Sequence, residues 1–259
     1  DYLIFVTQSP DYHLPTTACT IQTRLGLSQK ITAIDVNLGC SGFVTGLSLA
    51  KAVIVSGQAH NVLLLTAETY SKYMHERDKS NRTIFGDGAA ATLVSTEGIA
   101  RIGNFVIGTD GTGAENLIVK TGCARNPKPL NDLKFDDYDN PRSSDNLYMD
   151  GPAILNYSLE SIPQLFKDVL DKNGEEKDGI DLHVYHQANI FLANLERRKL
   201  KIAPEKYYVN ISKVGNTVSS TIPIALCMAM EDGSLKQGMK VLSMAQGLGY
   251  TWGGMVLYF

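Results

Sequence analysis

Two stretches of this chain repeat one pattern, and the repeat narrows the folds open to it. Residues 33–53, AIDVNLGCSGFVTGLSLAKAV, run as an apolar strand, a glycine turn, small residues and a helix. Residues 207–230, YYVNISKVGNTVSSTIPIALCMAM, do the same. Each is followed by a Val-Leu strand, NVLLLTAE and KVLSMAQG, and then by a glycine turn into a further strand, GDGAAATLV and TWGGMVLYF. An echo at so long a period reads as a duplicated α/β half, not as a solenoid of short units. The turns at Gly39-Cys40 and Gly215-Asn216 are then equivalent places in the two halves, and pseudo-twofold symmetry predicts that they face each other.

The remaining periodicity fits that plan. Strands are expected at 30–38 (buried), 61–68, 88–96, 100–111, 180–187, 206–212 and, as a closing pair, within 240–259. Helices are expected at 41–57, 151–174 (with an irregularity at Pro163), 188–201 and 219–233. Near-continuous apolar strands require a sheet covered on both faces, so the fold class is α/β. The halves divide at 1–100 and 101–259. Residues 123–147, rich in Pro, Asn and Asp, interrupt the pattern and read as a surface excursion or a lid. LIFVTQS and TTACTIQTRLG supply one more strand and helix near the start, where the first half looks incomplete. Hydrophobic residues make up 44% and charged residues 20% of the 259, which excludes a disordered chain. A net charge of −3 gives no global field for nucleic acid. No apolar run reaches about 18 residues, so no membrane span is expected, and the first residues lack a signal-peptide pattern.

Cys19, Cys40, Cys123 and Cys227 are scattered without a CxxC pair, which suggests neither a metal site nor a disulfide framework, and fits a reduced, cytoplasmic setting. A free cysteine is most often a small buried residue. Cys40 differs in its place, after a strand and at the start of a predicted helix. There the free N–H groups and the helix dipole would lower the thiol pKa and could hold an oxyanion. His186 stands at the end of strand 180–187, where ligands bind in α/β sheets; hydrogen bonding within the loop would equally account for it. His13, His60, His75 and His183 have no comparable placement. Asn216 follows a glycine, which is ordinary turn chemistry, yet it too lies between strand and helix. A nucleophile, an imidazole and an amide thus gather at strand-to-helix turns. In FGDGAAAT, glycines allow close backbone approach, and Asp87 reads as a turn cap or a buried polar bond.

These residues stand in ordered motifs: GCSGF around Cys40, DKSNRTIFGDGAAAT, YMDG, HQAN from His186, VGNTVSSTIPIAL around Asn216, and GLGYTWGG near the end. Across nearly its whole length the chain resembles the thiolase superfamily, and within it the β-ketoacyl-acyl carrier protein synthase III group. The resemblance implies a thiolase-like αβαβα fold and a homodimer with no bound cofactor and no metal. It implies that Cys40 takes an acyl group from a coenzyme A thioester, and that His186 and Asn216 stabilise the enolate of a malonyl-acyl carrier protein as carbon dioxide leaves. The backbone N–H groups of Cys40 and Leu248 would form the oxyanion hole. It also implies a longer native chain, with a first strand and coenzyme A contacts before residue 1.

Three departures stand out. Leu248 interrupts the usual glycine run, Leu14 replaces an aromatic residue that shapes the acyl pocket across the dimer, and Phe191 replaces an arginine. Arg197, Arg198, Lys199 and Lys201 remain downstream, either as a solvated helix face or as a docking site for acidic carrier protein. A thiolase-fold acyltransferase or a specialised condensing enzyme of secondary metabolism is the nearest alternative. A papain-like protease lacks the expected sequence around its cysteine here. A silent scaffold would not need all three site residues.

Overall fold

The structure, a computed structural model, describes residues 1–259. Its first sheet is built from β1 (Tyr2–Val6), β2 (Thr32–Val36), β3 (Asn61–Glu68) and β4 (Gly88–Ser95), in the order β2-β1-β3-β4. β1 is parallel to both its neighbours, and β4 returns antiparallel along β3. Because side chains alternate across a strand, Leu3 and Phe5 face one way and pack on Ala18 and Ile21 of α1 (Thr17–Arg24). Ile4 and Val6 face the other way, towards Phe43, Val44 and Leu47 of α2 (Gly42–Val55).

The second sheet contains β5 (Arg101–Ile102) and β6 (Val106–Thr109), both paired with the last strand of the chain. A short helix, α3 (Lys79–Arg82), lies between β3 and β4, and two small ladders follow β6. These are β7 (Leu117–Ile118) with β10 (Tyr148–Met149), and β8 (Lys134–Phe135) with β9 (Pro141–Arg142). The second half then supplies α4 (Gly151–Asn173), β11 (Leu182–His183), α5 (Ile190–Lys199), α6 (Ile211–Val214), α7 (Thr221–Glu231), β12 (Lys240–Gly247) and β13 (Thr251–Tyr258). β11 is parallel to β12, and β13 runs antiparallel to it.

Burial defines five layers. Val241 and Ala245 of β12 point to the central helices, while Leu242 and Met244 pack under Ile162, Val169 and Ala193 of α4 and α5. The order is α1, first sheet, α2 with α7, second sheet, then α4 with α5. α2 and α7 each carry a single charge, Lys51 and Glu231, and a helix so apolar must be enclosed. The thiolase-like α/β arrangement expected from sequence is the one found.

Local signals set the boundaries. Gly57, at φ 76°, follows α2, and Gly174, at φ 65°, ends α4. Asp150 caps α4 by accepting from Ala153 N–H at 3.0 Å, and Asn189 caps α5 by accepting from Leu192 N–H at 2.8 Å. α4 continues through Pro163.

Four expected elements differ. Strand 30–38 is shorter and forms a half-exposed edge instead of a buried strand. Strand 180–187 is regular only at β11, although bonds from Val184 N–H to Leu242 O and His186 N–H to Met244 O carry it on to His186. Strand 206–212 reduces to one bridge between Tyr207 and His183. Gln187 Oε1 accepts from both Asn210 and Ile211 N–H at 3.0 Å, which removes the donors a ladder needs. Strand 100–111 is broken at 103–105, where Lys51 Nζ donates to Ile102 O and Gly103 O, and Asn104 N–H donates to Asn173 Oδ1.

The 123–147 excursion carries the β8–β9 hairpin, and carboxylates fold it back. Asp145 accepts from Leu130 and Asn131 N–H, and Asp136 accepts from Arg142. Leu147 at its end is buried and donates from its backbone to Tyr73 O.

α2 lies against the first sheet through glycines. A Cβ on Gly46 would sit 2.7 Å from Leu64 Cδ1 and 2.9 Å from Val6 Cγ2. Gly46→Ala is therefore expected to destabilise the protein by about 1–3 kcal/mol through overpacking, read as a lower midpoint in urea with an unchanged slope.

Candidate active site

Cys40 is placed by the short turn that leaves β2. Gly42 N–H donates to Gly39 O at 2.7 Å, and the helix starts after Ser41. Ser41 does not cap the helix with its side chain. Its hydroxyl instead meets Thr251 Oγ1 at 2.7 Å and ties the turn to β13. A Cβ on Gly39 would lie 3.2 Å from Val218 Cγ1, and one on Gly42 would lie 3.5 Å from Ser219 Cβ. The two equivalent turns therefore face each other at the junction of the halves.

Asn216 is clamped by the FGDG segment. Its N–H donates to Ile84 O at 2.9 Å, and its carbonyl accepts from Gly86 N–H at 3.0 Å. A Cβ at Gly86 would be 2.1 Å from Val214 O, so only glycine fits there. Asp87 forms no buried polar bond: it is exposed and accepts from Ser71 N–H, in the turn at 70–72, at 3.0 Å. Asn216 Oδ1 accepts from Val218 N–H at 2.9 Å, leaving its NH2 group as the free end. Val218 is wholly buried with φ 54°. A β-branched residue in that region is strained, and such strain collects at working sites.

His186 closes the ladder beside β12 and is 8% exposed. Its Nδ1 lies 2.7 Å from Thr221 Oγ1. Burial lowers its pKa to about 4, so the imidazole is uncharged at neutral pH. His183 points elsewhere, onto Tyr185 Oη at 2.9 Å.

Cys40, His186 and Asn216 line one cavity of about 190 Å3, walled by apolar residues that include Tyr70, Phe85, Leu117 and Met149. Cys40 opens onto this cavity. The expectation of a lowered thiol pKa is overturned. Burial, and next the charge of Glu68, push the thiol up to about 12, and the bond at its own backbone only partly opposes them. Cys40 is held as a thiol.

Sequence reasoning missed Glu68. It is 1% exposed and has no cationic partner. Both its oxygens accept from Gln8 N–H, at 3.2 and 3.1 Å, and they also accept from Ser9 Oγ and Ser219 Oγ, each at 3.0 Å. Burial raises its pKa to about 7 against these donors. The available signal was an acid ending the apolar run NVLLLTAE.

Other expected residues are less concentrated. Leu248 lines the cavity, and its carbonyl accepts from Thr251 Oγ1 at 3.1 Å. Leu14 is 82% exposed and does not line the cavity of its own chain. Arg197 is partly buried and donates to Ile202 O at 3.0 Å. Arg198, Lys199 and Lys201 are exposed around the C-terminal end of α5, about 15 Å along the helix from Asn189 and Phe191, which line the cavity. Phe191 itself is 62% exposed. No helix is long and apolar enough to cross a membrane.

Paired α/β halves with a cysteine, a histidine and an asparagine at their junction define a thiolase-like acyltransferase. Comparison with known proteins is consistent throughout. Residues 34–111 match the family described as 3-oxoacyl-[acyl-carrier-protein (ACP)] synthase III, and residues 170–259 match its C-terminal part. A β-ketoacyl-[acyl-carrier-protein] synthase III of Caldanaerobacter subterraneus subsp. tengcongensis is 33% identical, covering 99% of this chain and 76% of that protein. A 2.1 Å crystal structure of a 3-oxoacyl-(acyl-carrier-protein) synthase III is 48% identical with a TM-score of 0.97, covering 100% of this chain and 78% of that one. The Aquifex aeolicus VF5 synthase III structure is 33% identical with a TM-score of 0.83, covering 100% and 77%. The chain belongs to the 3-oxoacyl-acyl carrier protein synthase III family, the condensing acyltransferases of fatty acid synthesis.

Glu68 generates two expectations. Removing its charge in Glu68→Gln should lower the Cys40 pKa, so alkylation by iodoacetamide at pH 8 should be several-fold faster in intact-protein mass spectrometry. Its folded pKa lies above the unfolded value of 4.5, so the unfolded state releases its proton first as pH rises. Stability should then fall between about pH 4.5 and pH 7 by on the order of 3 kcal/mol from this group, and Glu68→Gln should flatten that part of the profile in denaturant titrations.

Proposed function

We propose that Cys40 carries an acyl group from an acyl-coenzyme A and condenses it with malonyl-acyl carrier protein. The observation that carries this reading is the convergence of a thiol, an uncharged imidazole and an amide with a free NH2 group on one largely apolar cavity.

In the first step the Cys40 sulfur bonds to the thioester carbonyl carbon and the carbon–sulfur bond to coenzyme A breaks. The thiol proton leaves with coenzyme A as its free thiol. The N–H groups of Cys40 and Leu248 stabilise the oxyanion, and loss of one such donor costs about 3 kcal/mol of transition-state stabilisation. In the second step the malonyl thioester carbonyl accepts from Asn216 Nδ2 and from His186. The imidazole can donate from Nε2 while neutral when Nδ1, at 2.7 Å, accepts the Thr221 hydroxyl proton in place of the Val218 carbonyl, which that hydroxyl also meets at 3.1 Å. Apolar walls disfavour the malonyl carboxylate and favour its loss as neutral carbon dioxide. The electron pair left behind forms the enolate, whose carbon bonds to the acyl carbon. The Cys40 thiolate leaves and regains a proton from water.

The rest of the reading is a homodimer in which the exposed Leu14 borders the partner subunit's acyl pocket. Arg198, Lys199 and Lys201 form a basic rim that speeds encounter with acidic carrier protein.

Intact-protein mass spectrometry with a panel of acyl-coenzyme A thioesters tests the first step. An acyl mass on the wild type that is lost in Cys40→Ala is expected, and no adduct with any thioester would refute it. Asn216→Ala should keep that adduct while release of labelled carbon dioxide from malonyl-acyl carrier protein falls at least about a hundredfold. Acyl transfer to another acceptor without malonate would exclude condensation. Reversing the charges at Arg198 and Lys199 should raise the KM for carrier-bound malonyl but not for malonyl-coenzyme A.

A further inference from the structure

The cavity that Cys40 lines is also walled by residues of α4 and α5, among them Gly151 and the exposed Phe191. Ile162, Tyr185, Leu192 and Met244, which line it too, are all buried. Two polar side chains stand among them, Ser158 of α4 at 4% exposure and Glu196 of α5 at 6%.

Neither is satisfied by the protein. Glu196 has one polar contact, Tyr207 Oη at 3.3 Å from Oε2, which leaves Oε1 without a partner. The Tyr185 hydroxyl meets His183 Nδ1 at 2.9 Å, and no bond joins it to Glu196. A helical serine commonly bonds back to the carbonyl four residues earlier, as Ser161 Oγ does to Tyr157 O at 2.6 Å. Ser158 makes no such bond. Buried polar groups without partners are costly and uncommon, and two facing one cavity from neighbouring helices point to a ligand that completes them. Burial holds the Glu196 carboxyl protonated at neutral pH, with a pKa of about 8. A protonated carboxyl both donates and accepts, so its natural complement is an uncharged hydroxyl or amide, not a cation.

We propose that Ser158 and Glu196 form a polar receptor in the α4–α5 wall of this cavity for a hydroxyl or amide group of the thioester substrate. This rests on the reading of Cys40 as the acylated residue. That group belongs either to the acyl chain or to the amide-bearing arm of the carrier, and the two sources separate experimentally. A site built to hydrogen-bond such a group discriminates against the analogue that lacks it.

The test measures the rate of Cys40 acylation by mass spectrometry in the wild type, Glu196→Leu, Ser158→Ala and Glu196→Gln. Substrates are short- and medium-chain acyl-coenzyme A thioesters, each paired with its hydroxylated counterpart, and the same acyl groups on N-acetylcysteamine. If the acyl chain is the source, the wild type prefers a hydroxylated partner by roughly tenfold. Glu196→Leu and Ser158→Ala would then each cut that ratio severalfold, while Glu196→Gln, which keeps a donor and an acceptor, retains most of it. If the carrier arm is the source, the two variants instead cut the preference for coenzyme A over N-acetylcysteamine. Both ratios staying within about twofold of wild type in Glu196→Leu and Ser158→Ala would overturn the receptor. No adduct on the wild type with any substrate would overturn the cysteine chemistry itself, and the receptor with it.

Discussion

The site is organised around a buried carboxylate with no cation beside it. Glu68 ends β3 in the first half, takes the backbone and side-chain donors that follow β1, and takes Ser219 from the turn that opens α7 in the second half. A carboxylate removed from water needs donors from several directions. Here those donors lie on two segments, one in each half, so satisfying one side chain fixes the two halves against each other. Gln8 is thereby held under the Cys40 turn, where Tyr70 donates to its Oε1. Disturbing this cluster would alter the electrostatics of Cys40 as well as the packing.

The consequence is a site of uncharged groups. Cys40 is kept as a thiol, His186 as a neutral imidazole, and Glu196 as a neutral acid. In a low-dielectric cavity such groups act by donating and accepting hydrogen bonds at fixed positions, without reorganising as charge develops on a substrate. The same dryness makes an ionised substrate carboxylate costly, which supports the proposed loss of carbon dioxide.

Much of this was legible along the chain. The echo between 33–53 and 207–230 predicted two related halves, because a strand, a glycine turn and an apolar helix each leave a distinct period. Cys40, His186 and Asn216 could be picked out because each follows an apolar run and opens a turn, a position readable from local pattern, although the run before Asn216 folds into α6 and not into a strand. Other features were hidden for equally physical reasons. The strand at 206–212 has good strand residues, yet Gln187, which precedes α5, takes two of its N–H groups. Glu68 gave little sign of itself, since its partners lie 59 to 151 residues away. Ser158 and Glu196 read as ordinary polar positions on helices until the cavity between α4 and α5 is seen.

By itself the sequence determined the duplicated α/β plan, the boundaries set by glycines and caps, and which side chains could do chemistry, since all three depend on residues near one another. Protonation was decided only by the tertiary structure. The start of a helix favours a thiolate locally, but the Cys40 thiol is governed by the water excluded around it and by a carboxylate from another strand. Desolvation depends on everything packed about a group, and no local stretch of sequence contains that.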